Sequence, residues 1–331
     1  MNRVLIPALL AAPAIPRDGR LQVLQGEAMG TSWSVRCIGG DAARLRAGIL
    51  ARLETVVAQM SPWEAESDLS RFNRAPAGTW HRLPAEFLAV LDCALAVAQE
   101  SDGAFDPSIG TLVDLWGFGP GPGPGGSPPG AAECQALRQG VGWRKLRLDL
   151  AAGRAFQPGG IGLDLSGIAK GYAVDLVAEF LAAAGIPAFL VEIGGELRGR
   201  GAKPDGTPWW VALETPPGEA APGAEPFLVA LHELSVATSG DYRRFFRHGG
   251  RRYSHTLDPR TGAPVAAETA AVTVLHPSCM RADALATALT VLGPQSGLAH
   301  AVRHGIAALF LTREGPGLRE HMSPAFAAML D

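Results

Sequence analysis

Two features of the 331-residue sequence predict a mixed fold of α-helices and β-strands. Apolar residues recur at helical spacing in several segments of the first half, and the second half carries short strand-like segments between turn residues. With 47% apolar and 18% charged residues, the chain can bury a sizeable core, as one large domain or as two closely packed ones.

The first predicted elements are one strand and two helices. Alternation of Trp33 and Val35 indicates a strand, and the helical spacing that follows predicts a helix with the apolar positions Leu45, Ile49, Leu53, Val56 and Met60. A second helix is expected from Pro84 to Gln99, because proline is tolerated in a first turn and an apolar stripe follows it.

The middle of the chain begins with a segment that cannot form a regular element. Residues 117–130, GFGPGPGPGGSPPG, are dominated by Gly and Pro, so we expect a surface loop or lid there. A short helix near Cys134 to Gln139 and a strand around Lys145 to Leu150 should follow. The segment from Ile161 to Asp175 then predicts a strand-to-helix turn, whose helix ends at Gly185.

Five strands are predicted in the second half from their β-branched and aromatic residues. They are Ala188 to Ile193, Trp209 to Glu214, Phe227 to Leu231, Arg252 to Leu257 and Ala271 to Leu275. Two helices, near Cys279 to Leu292 and Gln295 to Val302, are separated by Gly293 and Pro294, and Ile306 to Thr312 supplies a last strand.

Charge and cysteine content exclude several classes of function. A net charge of −3 without a basic stripe argues against nucleic acid as a partner. No stretch approaches the roughly 20 apolar residues of a transmembrane span. The cysteines form no C-x-x-C pair, so neither a cysteine zinc site nor a disulfide framework is expected; they are Cys37, Cys93, Cys134 and Cys279.

Residues 1–20 are set apart from the rest of the chain. The short apolar run from Val4 to Ile15 follows Asn2 and Arg3 and resembles a secretory signal, although its prolines also fit a plain N-terminal extension that packs on the domain. We therefore expect an extension or a signal segment at 1–20 and the main domain at 21–331.

A phosphate site is indicated where the predicted turn enters its helix. Asp164 and Lys170 bracket Ser166 and Gly167, so a helix N-terminus with free amides and one cation could face an anion. The alternative is that these residues only cap the helix and shape the turn.

A metal site is indicated on the helix after Cys279. Asp283 and Thr287 are four residues apart, so a carboxylate and a hydroxyl lie on one helix face. With one backbone carbonyl, they could hold magnesium, which completes its shell with water and phosphate. The alternative is a first-turn charge that only complements the helix dipole.

Three further segments are candidates for ligand contact. Asp106 lies with Phe105 in a turn before a proline, where it could contact a ligand or only shape the turn. Trp63 follows a helix end, where it could stack on a planar ring or simply cover the core. His255 is suited to accept a proton near neutral pH, although a lone strand histidine is more often a surface residue.

In order, eight segments of the chain resemble the ApbE family of FAD:protein FMN transferases. They are MGTSW at 29–33, MSPWEAESDLSRFN at 60–73, GAFDPSIGTLVDLWGFG at 103–119, LDLSGIAKGYAVD at 163–175, IGGELRGRG at 193–201, TSGDYRRFF at 238–246, HTLDPRTGAPV at 255–265 and ADALATALTVLG at 282–293. The resemblance extends over nearly the whole chain after about residue 21.

The resemblance implies a fold and a reaction. The fold is α+β, with two mixed α/β units packed into one bilobed body and the flavin site between them. The reaction is the magnesium-dependent transfer of FMN from FAD to a Thr or Ser hydroxyl of an acceptor protein, through a phosphoester bond, with release of AMP.

The resemblance also implies roles for individual residues. Asp283, Thr287 and the carbonyl of Gly167 would bind Mg²⁺, and Asp164 and Lys170 would contact FAD. The flavin and adenine pocket would be lined by Met29, Trp63, Ala104, Phe105, Asp106 and the backbone of Leu257. We expect catalysis to depend on Asp283 through the metal and on His255 as the base, with a metal-bound water or Asp241 as alternative bases.

Two other activities use the same residues, and the sequence does not separate them from transfer. One is hydrolysis of FAD to FMN and AMP, and the other is flavin binding or storage without turnover. The resemblance implies an acceptor that is a subunit of a redox or respiratory complex, and a location on the periplasmic side of the inner membrane, with the cytoplasm as the alternative.

Overall fold

A computed structural model of the protein describes residues 3–8, 12–16, 19–121, 123, 125–219, 225–315 and 317–331. Its centre is an eight-stranded sheet in which all neighbouring strands are antiparallel. In sheet order the strands are β18 (Gly317–Met322), β17 (Ala307–Glu314), β16 (Thr269–His276), β11 (Leu234–Gly240), β8 (Glu196–Arg200), β7 (Phe189–Ile193), β3 (Thr31–Ile38) and β2 (Leu21–Ala28).

Smaller sheets flank this central sheet. One contains β1 (Val4–Leu5), β10 (Leu228–Leu231) and β9 (Trp209–Ala212), and another contains β4 (Thr79–Arg82), β6 (Arg154–Gln157) and β5 (Arg147–Asp149). Two hairpins join β12 (Phe245–His248) to β13 (Arg251–Ser254) and β14 (Leu257–Asp258) to β15 (Ala263–Pro264).

Eight α-helices accompany the sheets in the described residues. They are α1 (Ala42–Met60), α2 (Asp68–Asn73), α3 (Ala85–Glu100), α4 (Gly110–Leu115), α5 (Ala131–Gly140), α6 (Ala169–Ala183), α7 (Cys279–His304) and α8 (Pro324–Ala327), with a 3₁₀ turn at Trp143–Lys145. The mixture of helices with an antiparallel sheet confirms the predicted α+β class.

Both faces of the central sheet are buried, each in a core of its own. In β16, Val272 and Val274 pack into the core that contains α1, α3, α6 and α7, whereas Ala271 and Leu275 pack into the core that contains β9 and β10. The alternation follows from the two-residue period of a strand, and burial on both faces explains the nearly continuous apolar sequence of β16.

Helix α7 is folded back on itself. Gly293 has φ 75° and ψ 176°, outside the helical region, and Pro294 follows it inside the helix. In a straight helix Arg281 and His304 would be roughly 35 Å apart, yet both contact the carboxylate of Glu100. The predicted break is confirmed, and residues 279–292 and 294–304 form two arms that meet at the end of α3.

The described residues near the N-terminus pack on the domain. Leu5 is fully buried in the second core, β1 pairs in parallel with β10, and the Val4 carbonyl accepts a hydrogen bond from the Asp331 amide. Residues 1–2, 9–11 and 17–18 of the 1–20 segment lie outside the described residues, and the choice between an extension and a signal segment stays a prediction. The main sheet begins at Leu21, the first residue of the predicted main domain.

Two predicted elements differ from the structure. The segment before α6 is not a ladder strand, because among residues 161–165 only Gly162 makes a bridge, to Ile109. The predicted strand from Arg252 to Leu257 is interrupted at His255 and Thr256, where the chain leaves one hairpin and enters the next.

Candidate active site

A glycine contact brings α6 and α7 unusually close together. A Cβ atom on Gly171 would lie 2.3 Å from the Cys279 carbonyl oxygen and 2.8 Å from Asp283 Cβ, so no larger residue fits without a shift. The Gly171 amide donates a 3.0 Å hydrogen bond to Asp283 Oδ2. The carboxylate of Asp283 is therefore held against the first turn of α6.

Asp175 fixes the start of α7 from the neighbouring helix. Its carboxylate accepts hydrogen bonds from the Ser278 hydroxyl and from the amides of Cys279 and Met280, at 2.9 to 3.0 Å. Arg198 donates to the same carboxylate at 2.6 Å. This buried cap sets the position of α7 relative to α6, and with it the position of Asp283.

The three predicted metal ligands come together where α6 begins. Asp283 lies beside Gly171, and a Cβ atom on Gly167 would lie 2.9 Å from Thr287 Oγ1. Within the described chain, the Thr287 hydroxyl makes no hydrogen bond, and Asp283 binds the Gly171 amide through Oδ2 and not through Oδ1. A carboxylate oxygen and a hydroxyl are thus left available beside a backbone carbonyl, a set of donors that fits a hard divalent cation.

Lys170 lies between two buried carboxylates rather than free at the helix start. Its Nζ atom is 2.7 Å from Glu196 Oε1 and 3.9 Å from Asp283 Oδ2. Burial lowers the pKa of the lysine, but the Asp283 and Glu196 carboxylates outweigh burial and leave that pKa raised. Lys170 therefore stays a cation.

Glu196 and Arg243 complete this charged cluster, and the sequence did not single them out. Burial raises the pKa of the Glu196 carboxyl, and its Oε2 atom has no hydrogen-bond partner in the described structure. Arg243 donates to the Gly194 carbonyl at 2.5 Å and pairs with Glu214. A Cβ atom on Gly195 would lie 2.3 Å from Arg243 Nη2, so the guanidinium covers this turn closely.

The first turn of α6 offers fewer free amides than predicted. The Ser166 amide donates to Asp164 Oδ1, the amides of Ile168 and Ala169 donate to the Leu165 carbonyl, and the Gly171 amide donates to Asp283. These amides are therefore already bonded within the turn or to the Asp283 carboxylate of α7. Recognition of a phosphate would therefore depend on Lys170, Arg243 and a cation more than on helix amides.

The loop from Ala104 to Asp106 packs against Gly167, one of the predicted metal ligands. Ala104 and Phe105 are buried, and Phe105 Cε2 would lie 3.3 Å from a Cβ atom on Gly167. Asp106 accepts hydrogen bonds from the Ser108 amide and hydroxyl and from the Trp143 amide. Burial raises the pKa of Asp106. The carboxylate thus shapes the turn, and its ligand contact stays a prediction.

Asn73, at the end of the segment 60–73, is hydrogen-bonded to the segment 163–175, which lies 90 positions further along the chain. Its side-chain amide donates to the Leu163 carbonyl at 2.9 Å and accepts from the Leu163 amide at 2.7 Å. The next residue, Asp164, donates its amide to the Pro107 carbonyl. These bonds hold residues 163–167 beside the Phe105 loop.

Trp63 and His255 are linked through Arg244. Trp63 is 59% exposed, as predicted for a ring outside the core, and the Arg244 guanidinium lies 6.0 Å from its ring centroid. The backbone N and the Nδ1 atom of His255 lie 3.1 and 3.0 Å from the Arg244 carbonyl. Leu257, buried at 5% exposure, follows in β14.

His255 has the chemistry of a proton acceptor. Burial lowers its pKa to about 4, helped by the positive charges of Arg244 and Lys170 and opposed by the bond to the Arg244 carbonyl. The imidazole is therefore neutral at pH 7. Because a carbonyl can only accept, Nδ1 carries the hydrogen, and the lone pair lies on Nε2.

Asp241, the alternative protein base, is occupied by other side chains. It is 1% exposed, and Arg313 binds both of its oxygens at 2.7 and 2.8 Å. A carboxylate held in this way is a poor proton acceptor, because protonation would break a bidentate ion pair. The geometry favours His255.

Met29 occupies a strained turn close to the charged cluster. Met29 and Gly30 have φ values of 56° and 71°, so the β2–β3 hairpin closes with two left-handed residues, and Met29 is one of few non-glycine residues in that region. The turn continues into Thr31, whose side chain would lie 2.9 Å from a Cβ atom on Gly194. Gly194 in turn lies against Lys170.

Known proteins resemble this chain over most of its length. The sequence model of the ApbE family matches residues 29–310. The FAD:protein FMN transferase of Vibrio cholerae is 36% identical over 331 residues, covering 99% of this chain and 98% of that protein. The corresponding protein of Haemophilus influenzae is 35% identical over 341 residues, covering 99% and 97%.

Solved structures give the same result. The apo form of Pseudomonas stutzeri flavinyl transferase ApbE matches with a TM-score of 0.86 and 39% identity, covering 94% of this chain and 97% of that one. The Vibrio cholerae flavin transferase ApbE matches with a TM-score of 0.86 and 36% identity, covering 95% and 100%. Family, relatives and fold agree, and this chain is a transferase that belongs to the ApbE family.

Proposed function

We propose that this protein transfers FMN from FAD to a Thr or Ser hydroxyl of an acceptor protein, in a magnesium-dependent reaction that releases AMP. The observation that carries the proposal is the pair formed by Asp283 and Thr287. Asp283 Oδ1 and the Thr287 hydroxyl lie on one helix face without protein partners in the described chain, and Lys170 Nζ lies 3.9 Å from the other carboxylate oxygen, Asp283 Oδ2. Relatives named FAD:protein FMN transferase support the flavin part.

The residues divide into a metal side and a flavin side. Asp283, Thr287 and the Gly167 carbonyl would hold Mg²⁺, which when bound would neutralise charge on the pyrophosphate. Lys170 and Arg243 would contact the phosphates from the opposite side. Trp63, Phe105 and Met29 offer the apolar surface that an isoalloxazine or adenine ring requires.

In the proposed transfer, one phosphoester bond forms and one phosphoanhydride bond breaks, and His255 accepts the proton. The acceptor hydroxyl oxygen bonds to the phosphorus of the FMN half, and the bond from that phosphorus to the AMP oxygen breaks. His255 Nε2 takes the hydroxyl proton, and AMP leaves with the electron pair of the broken bond. The preorganised cations stabilise the charge that develops on the phosphate oxygens.

Two other activities remain as alternatives, and they have different products. Hydrolysis would release AMP from FAD without an acceptor, whereas flavin storage would release none. Storage has no need for paired metal oxygens beside the phosphate site, so the Asp283 and Thr287 pair favours catalysis.

The test is AMP release from FAD, measured with and without magnesium and with and without an acceptor protein. Transfer predicts AMP only when both are present. Release of AMP without an acceptor would show that the protein hydrolyses FAD and does not transfer FMN. Absence of AMP under all conditions would support flavin storage.

We propose that the acceptor is a subunit of a redox or respiratory complex and that the reaction takes place on the periplasmic side of the inner membrane. Both rest on the family resemblance, and the cytoplasm is the alternative location. None of the helices that the structure describes has the length and apolar character needed to cross a membrane. Fractionation of cells that produce the full-length protein would test the location.

A further inference from the structure

We propose a second metal site, separate from the Asp283 and Thr287 pair, formed by Glu100, His300 and His304. It would take one zinc-class divalent cation. The three side chains come from the last residue of α3 and from the second arm of α7. The proposal does not depend on the flavin reaction.

The three donor atoms already converge. Glu100 Oε1 is 3.8 Å from His300 Nε2 and 3.7 Å from His304 Nδ1, and all three atoms lie within 4.8 Å of one another. For metal bonds of 2.0 to 2.1 Å, the donors of a tetrahedral zinc site are about 3.4 Å apart. Small side-chain rotations are enough to close the site. The two imidazoles lie four residues apart on the helix and stack with centroids 4.3 Å apart.

The buried nitrogen of His300 points to a missing partner. His300 is 7% exposed, and its Nε2 atom has no hydrogen-bond partner in the described structure, although it faces Glu100. A buried polar atom without a partner is costly, and a bound cation would satisfy it. Burial lowers the pKa of His300, which keeps the imidazole in the neutral form that binds metals.

The surroundings fit a nitrogen-rich site better than a calcium or magnesium site. Two imidazole nitrogens and one carboxylate oxygen are typical ligands of zinc and its neighbours in the transition series. Arg281 binds the other oxygen of Glu100 at 2.7 Å and so directs Oε1 at the histidines. Arg281 also offsets the charge of the carboxylate, so binding would depend mainly on the two imidazoles.

A cation here would join the end of α3 to the second arm of α7, and Arg281 on the first arm already binds the same carboxylate. Glu100 ends α3 directly before the loop that carries Ala104 and Phe105, and Arg281 lies two residues before Asp283. The metal would thus fasten the returning arm of α7 to the base of the predicted active site. We infer a structural site, with stabilisation of the fold as its effect.

The test uses the full-length protein, stripped of metal and titrated with cobalt(II) chloride and zinc chloride. The wild type should bind one more equivalent of either ion than His304→Gln, and zinc should raise the melting temperature of the wild type but not that of His304→Gln. His304 is exposed, so this variant should fold; His300→Gln gives a second variant from inside the site. The control is His248→Gln, an exposed histidine outside the cluster.

Cobalt distinguishes the ligands. Nitrogen and oxygen ligands give visible d–d bands that His304→Gln should lose and His248→Gln should keep. Cys93 lies close enough to interact with Arg281 and Glu100, but burial raises its thiol pKa to about 11. A thiolate charge-transfer band, equal metal stoichiometry in wild type and His304→Gln, or no binding at all would overturn the proposal.

Discussion

Lys170 neutralises buried carboxylates in the folded protein and is also placed where an anionic ligand could bind. Its side chain is 30% exposed, and its ammonium group is bonded to Glu196 and close to Asp283, so it balances two buried carboxylates. An incoming anion would share this cation rather than meet a free one. The lysine is therefore preorganised at the place where negative charge is expected.

Replacing Lys170 with Ala should weaken FAD binding by about 10- to 100-fold, because a charge-assisted contact contributes about 1.5 to 3 kcal/mol. Fluorescence titration with FAD measures the effect. Lys203→Ala, in the turn after β8, is the matched control and should bind like the wild type. Unchanged affinity in Lys170→Ala would remove the lysine from the ligand site.

Replacing Asp283 with Asn should lower magnesium-dependent AMP release by at least about 100-fold, equivalent to about 2.7 kcal/mol, because the amide is a poor ligand for Mg²⁺. Asn keeps the size of the side chain and can still accept from the Gly171 amide. Asp92→Asn, on the exposed side of α3, is the control. A normal rate in Asp283→Asn would exclude the metal role.

The pH dependence of transfer should reveal His255. Only the neutral imidazole accepts a proton, and its pKa is lowered to about 4, so a rate set by His255 should stay level from pH 8 to about pH 5 and fall below that. An unperturbed histidine would lose activity near pH 6.5. The rate measured from pH 4 to 8 in the wild type and in His255→Gln tests this, and an equal rate in the variant would rule out the base.

The sequence predicts some functional residues and misses others for a physical reason. Asp283 and Thr287 are four apart, and helical geometry alone brings them together. Glu196 lies 26 positions from Lys170, at the start of a strand, where an isolated glutamate has no distinguishing pattern. Only the meeting of β8 with α6 gives it a partner, so no local signal could identify it.

At the scale of elements, the approach of α6 to α7 controls the site. The predicted metal ligands Asp283 and Thr287 lie on α7 and Gly167 lies just before α6, and Gly171 allows the Cys279 carbonyl and Asp283 to lie against the backbone of α6. The Asp175 cap adds a second fixed point near the start of α7. Geometry at the metal ligands should thus be sensitive to any change in this contact.

Replacing Gly171 with Ala should destabilise the protein by about 1 to 3 kcal/mol, because the added methyl group would overlap the backbone of α7. Urea unfolding followed by circular dichroism measures the change. Gly130→Ala is the control, since Gly130 has φ −65° and a Cβ atom there meets nothing within 4 Å. Equal stability of the Gly171 variant and the wild type would show that the helices can separate freely.

Elements with a strong periodic pattern were predicted well, and elements defined by long-range contacts were not. The apolar stripe of α3 and the Gly293-Pro294 break are local signals, and both appear in the structure. β2 was missed because it is an edge strand with several exposed positions, so it lacks a continuous apolar pattern. Residues 161–165 resemble a strand in composition but make only one bridge, from Gly162 to Ile109, and so form no ladder strand.

At the scale of the whole molecule, the central sheet gathers segments that are far apart in sequence. In the central sheet, strands β16, β11 and β3 and the β7–β8 hairpin come from widely separated parts of the chain. Their ends, with α6 and α7, bring the Met29 turn, Glu196 and Asp283 to one region. Strand order of this kind depends on long-range pairing, so the sequence could suggest it only through resemblance to a family.

The intact mass of a Thr-containing acceptor protein tests the central claim most directly. The acceptor is incubated with the full-length enzyme, FAD and magnesium, with parallel samples that contain chelator or the Asp283→Asn variant. We predict a mass gain of one FMN phosphoester, matched by AMP, only in the complete sample with wild-type enzyme. An equal mass gain in the chelated or Asp283→Asn sample, or AMP without any mass gain, would contradict magnesium-dependent flavin transfer.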